Sequence, residues 1–134
     1  MLLSLMACAD DDNNNVQTYN GSMVGTWKLV EITYYDGDDV TYDTSSCEGD
    51  NLQGPHISMV FSGTEVESFY TCAPDIEHFD YYTYSFSNGV INFNGEDYLK
   101  ANVTDLGNNR IAFKYITHDD NTDYNGPYMV LEKQ

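Results

Sequence analysis

Short runs of alternating apolar and polar side chains, cut at close intervals by turn dipeptides, fill the chain from Met23 onward and commit it to antiparallel β structure. The first run is Thr26 to Tyr35, ended by Asp36-Gly37, and a long polar loop follows through Gly54-Pro55. Ile57, Met59 and Phe61 then alternate with Ser58 and Val60, and after the turn Ser62-Gly63 the run Glu65 to Tyr70 completes a hairpin. Phe79 to Phe86 is an aromatic strand. Val90 to Phe93 follows Asn88-Gly89, and Tyr98 to Thr104 follows Asn94-Gly95; each Asn-Gly supplies the positive φ values of a type I′ turn. Gly107-Asn108-Asn109 leads into a strand in which Ile111, Phe113 and Tyr115 alternate with Ala112 and Lys114. After the loop His118 to Gly126, the chain closes with Pro127 to Glu132.

Helical periodicity is nearly absent, and only the segment before Gly25 is a candidate for a short helical turn. The reading is therefore all-β: about eight strands in an antiparallel up-and-down meander, the number that closes a barrel and removes exposed edges. A β-sandwich is the alternative. A chain of 134 residues suits one such domain, placed here at residues 23–134. Residues 10 to 17, Asp-Asp-Asp-Asn-Asn-Asn-Val-Gln, have almost nothing to bury and read as the flexible part of a tether spanning residues 8–22.

Charge narrows the choice of partners. The net charge is −17, from 22 acidic against five basic residues. Nucleic acid binding needs clustered Lys or Arg, whereas Lys28, Lys100, Arg110, Lys114 and Lys133 are scattered. The same charge opposes lying flat on anionic lipid. With 41% hydrophobic and 14% aromatic residues, the chain nonetheless has the means to build a core.

Nothing has the spacing of catalytic machinery, so the sequence reads as non-enzymatic and without a cofactor. His56, His78 and His118 sit in separate turn-like segments, as surface histidines would, and Glu65 with Glu67 shares a strand face as chance neighbours. Two acidic loops, Asp36-Gly37-Asp38-Asp39 and the one holding Asp119, Asp120 and Asp123, are weak calcium candidates without the EF-hand glutamate.

Twelve tyrosines are the unusual feature. Alternation puts Tyr82, Tyr84 and Phe86 on one face of the aromatic strand, with Phe79 and Tyr81 on the other. Together with Met59, Phe61, Phe113, Tyr115 and Met129, the first set forms the candidate lining of a barrel interior. That interior is either a polar-tipped aromatic cup or a filled core.

Two resemblances add to this reading. Leu5-Met6-Ala7-Cys8 followed by Ala9-Asp10-Asp11-Asp12 resembles a bacterial lipoprotein signal. It implies that residues 1–7 are removed by signal peptidase II and that Cys8 is acylated. The run lacks a positive n-region and is short, so the start of the signal is expected upstream. The acidic residues after Cys8 resemble the export signal that sends some Gram-negative lipoproteins to the outer face of the outer membrane. With Cys8 acylated, Cys47 and Cys72 remain as a pair that an oxidising compartment would allow to bridge; two reduced, buried cysteines are the alternative.

Gly25-Thr26-Trp27, opening the first strand of a small meander, resembles the Gly-x-Trp signature of lipocalins, and the layout is similar to small lipocalin-like lipoproteins of Gram-negative bacteria. The resemblance implies that Trp27 plugs the closed end of the barrel, with Lys133 as the basic residue over its ring. It also implies an outer-membrane-anchored protein that binds a small, mostly apolar or amphipathic ligand. The alternative is a structural or accessory module with a filled barrel that presents its acidic loops to an outer-membrane protein partner.

Overall fold

The computed structural model describes residues 16–34, 40–44, 56–70, 77–94, 99–116 and 126–134. Ten strands run through them: β1 (Gln17–Thr18), β2 (Gly25–Tyr34), β3 (Val40–Asp43), β4 (Ile57–Phe61), β5 (Glu65–Tyr70), β6 (Glu77–Ser87), β7 (Val90–Asn94), β8 (Leu99–Gly107), β9 (Arg110–Ile116) and β10 (Tyr128–Lys133). Eight of them pair antiparallel in the circuit β2-β4-β5-β6-β7-β8-β9-β10 and back to β2, which closes the barrel. No helix occurs among the described residues.

Alternation along each strand sends one set of side chains into the barrel. Met23, Trp27, Leu29, Ile32, Met59, Phe61, Val66, Tyr84, Ile91, Phe93, Ala101, Val103, Ile111, Phe113, Tyr115, Met129 and Leu131 make one contiguous buried cluster. Removing this apolar surface from water is the main favourable contribution to the fold. The turns follow the expected chemistry: Asn88 and Gly89 both have positive φ, 51° and 71°, and Asn108 and Asn109 repeat the pattern at 52° and 61°.

Two strands stand where the sequence suggested none. β3 lies in the polar segment after the first strand and pairs with Glu31 to Tyr34 of β2, on the edge that β4 covers only from Gly25 to Lys28. β1 replaces the helical turn expected before Gly25. It pairs Gln17 and Thr18 with Asp105 and Thr104 of β8, beyond the reach of β7 on that edge. The N–H of Tyr19 continues the ladder to the carbonyl of Val103 at 3.0 Å. Gln17 to Tyr19, within the stretch expected to be tether, are thus paired along β8. Unpaired edge on two long strands recruits short polar segments with little apolar content of their own.

Register breaks at three points. Val30 is extra in β2 opposite β10, Leu106 is extra in β8 opposite β9, and Phe79 is extra in β6, where Ser68 pairs with Asp80 and Phe69 with His78. Such bulges bend a strand and re-aim the side chains beside them.

Candidate functional site

The two ends of the barrel differ. At one end gather the first residues of β2, the last of β10 and the turns at Ser62–Thr64, Asn88–Gly89 and Asn108–Asn109. Trp27 seals this end. Its indole Nε1–H donates to the carbonyl of Met23 at 2.8 Å, so the one polar atom of the ring is satisfied where it is buried. Tyr19 meets the ring edge-on at 6.2 Å between centroids, and the Lys133 ammonium lies 5.4 Å from the ring centre. Gly25 has φ +134°, and a Cβ there would come within 3.0 Å of Lys133 Cε, so the glycine two residues before the tryptophan leaves the lysine its path to the ring. Backbone bonds from Lys133 to Asn109 and from Gln134 to Thr26 fasten the chain end across this floor.

Above the floor the barrel is filled. Phe61 and Tyr84 meet edge-on at 5.1 Å, and the Tyr84 hydroxyl donates to the carbonyl of Ser62; burial raises its pKa above the ordinary phenol value. Phe113 is fully buried, and Phe86 packs against Tyr19 at 6.0 Å. Of the expected lining, Phe61, Tyr84 and Phe113 are therefore core, and Phe86 packs partly buried against it.

Towards the opposite end a cavity of about 130 Å³ opens between Ile57, Met59, Ser68, Asp80, Tyr82, Phe93, Tyr115 and Met129. Met59, Tyr82, Tyr115 and Met129 are the other four expected lining residues. Phe93 stacks on Tyr115 at 6.4 Å with 23° between planes and meets Tyr82 at 6.4 Å. Burial, reinforced by Tyr82, pushes the pKa of the Tyr115 phenol far above its ordinary value, so the wall carries a neutral hydroxyl there. The polar members are Ser68, Asp80 and the tyrosines, and the Tyr82 hydroxyl donates to Asp80 Oδ1 at 3.2 Å.

Ile57, Ser68, Asp80 and Phe93 were not among the expected lining. Asp80 was nonetheless readable, because it continues inward the alternation of Tyr82, Tyr84 and Phe86.

His56 corrects the expectation of surface histidines. It is buried, with Nδ1 3.0 Å from the Thr44 carbonyl, and since a carbonyl only accepts, the proton sits on Nδ1. Thr44 in turn donates its hydroxyl to the Leu29 carbonyl at 2.6 Å and its N–H to Val30 at 3.1 Å. The pair fastens the end of β3 and the start of β4 to the middle of β2, next to the Val30 bulge. Cys8, Cys47, Cys72, His78 as a side chain, His118, Asp119, Asp120 and Asp123 lie outside the described residues or side chains.

Two solved structures share this architecture. One is an uncharacterized protein from Bacteroides eggerthii, 16% identical, matched over 84% of this chain and 100% of its own with a TM-score of 0.54. The other is a lipocalin-like protein from Bacteroides uniformis, 15% identical, matched over 85% of this chain and 100% of its own, also with a TM-score of 0.54. At that identity the likeness is one of fold. No protein-family model and no curated protein matches the chain.

Proposed function

We propose that this protein is a lipocalin-like binding protein that takes a small ligand, or the end of a larger one, into the cavity beside Tyr82, Phe93 and Tyr115. The observation that carries this reading is the position of that cavity: inside a closed barrel, away from the Trp27 floor, and walled by apolar and aromatic side chains with a few polar groups. Its size sets the scale of the guest. An engineered apolar cavity of roughly 150 Å³ holds a benzene-sized molecule, so the cup is shallow and suits a body of about that bulk. The lipoprotein-like Leu5 to Cys8 supports an outer-membrane anchor through acylated Cys8, with the barrel on the cell surface.

Benzene is the direct probe. In benzene-saturated buffer the methyl resonances of Met59 and Met129 should shift and the melting temperature should rise, as for any ligand that binds only the folded state. Ser68→Phe, which fills the cavity, should abolish both responses. Unshifted methyls in the unmodified protein would favour the second reading, a non-catalytic surface module, to which the filled half around Phe61, Tyr84 and Phe113 lends weight.

A further inference from the structure

Asp80 is a carboxylate on the inner face of a mostly apolar and aromatic wall. The Phe79 bulge immediately precedes it, and Ser68 faces it across the pair. Its partner among the described residues is a neutral one, the Tyr82 hydroxyl at 3.2 Å. No lysine or arginine shares the interior with it. Lys133 is spent on Trp27, and Arg110 binds Glu132 at 2.7 Å on the surface. Lys28, Lys100 and Lys114 alternate with the inward Trp27, Leu29, Ala101, Phe113 and Tyr115, and so project outward.

We infer that the cavity selects a small organic cation, a primary amine whose ammonium pairs with Asp80 while its apolar body lies against Met59, Phe93, Tyr115 and Met129. This rests on the proposed binding role of the same cavity. Three features of the site act together. The carboxylate offers a charge-assisted hydrogen bond, stronger than a neutral one. The rings of Tyr82, Phe93 and Tyr115 line the cavity, and an aromatic ring attracts a cation through its quadrupole. The net charge of −17 draws cations towards the molecule and repels anions, which excludes fatty-acid-like carboxylates as favoured guests.

Benzylammonium and benzyl alcohol, close in size and shape, test the inference on the full chain in about 0.15 M salt, where surface charges are largely screened. Titration followed by NMR, read at the amides of Ser68 and Tyr115, should show benzylammonium binding about ten-fold or more tightly than the alcohol. Asp80→Asn should erase that preference while the alcohol still binds. Because the substitution removes one of 22 acidic residues, non-specific attraction to the surface would survive it. Equal affinity for the two probes in the unmodified protein, or a preference that persists in Asp80→Asn, would overturn the amine inference and leave the cup intact. Failure of both probes to shift Ser68 and Tyr115 would remove the cup itself.

Discussion

Trp27 is the largest fully buried side chain among the described residues and meets Met23, Tyr19 and Lys133 at once. Trp27→Ala should lower unfolding stability by about 3–5 kcal/mol, measured by denaturant titration. Lys133→Met, which keeps the stem and loses the charge, should cost only about 0.5–1 kcal/mol. A smaller loss for Trp27→Ala would mean that the floor collapses to refill the space. Tyr115 gives a pH signature. Its phenol titrates far higher in the folded protein than in the unfolded chain, so the folded state holds the proton longer. Stability from this group is complete below about pH 10 and is lost as pH rises above it. Tyr115→Phe should flatten the fall in melting temperature between about pH 10 and 12; an unchanged slope would show that the phenol is not protected. Inward residues of this kind were legible because alternation assigns them, as with Phe113 and Tyr115. His56 was not, because its burial depends on Thr44, twelve positions away in a segment without apolar pattern.

At the level of the strand, β1 is the element most exposed to disruption, having two paired residues and one further backbone bond from Tyr19. Gly89 makes room for it: a Cβ there would lie 2.1 Å from Thr18 Cγ2, on a backbone with φ +71°. Gly89→Ala should therefore displace β1 as well as strain the turn, at a cost above about 1 kcal/mol. Hydrogen exchange would read this as lost protection of the Tyr19 N–H, with the Val66 and Phe113 amides unaffected. Retained protection at Tyr19 would mean that Thr18 rotates away at no expense to the strand. The eight barrel strands could be read from period-two alternation and from Asn-Gly turns, because both are local. β1 and β3 could not, since Gln-Thr and Val-Thr-Tyr-Asp carry no pattern of their own and form only because β8 and β2 offer unpaired edge. The bulges were equally invisible, and the one at Phe79 sits next to the residue that gives the cavity its charge.

For the whole molecule, closure and charge oppose each other. Pairing β8 with β9 and β10 with β2 leaves the barrel no free edge at the seam, while a net charge of −17 pushes its surface apart. Raising sodium chloride from about 10 mM to about 150 mM shortens the screening distance from about 30 to about 8 Å. The melting temperature should rise across that range, and a flat or falling trend would show that the acidic residues are already compensated. The whole-molecule shape was readable from strand count and turn spacing, but the division into a filled half and a hollow half was not. It depends on which side chains meet inside the barrel, as Phe61 and Tyr84 do at 5.1 Å, and which leave space between them, as those around the cavity do. The chain enters β1 from the same end that Trp27 seals, because Gln17 pairs nearer that end than Thr18 does. Residues 9–16 span at most about 29 Å when fully extended. An anchor at Cys8 would thus moor the barrel by its floor, with the mouth turned to the surroundings, and guests would be exchanged with the medium and not with the lipid that holds the protein.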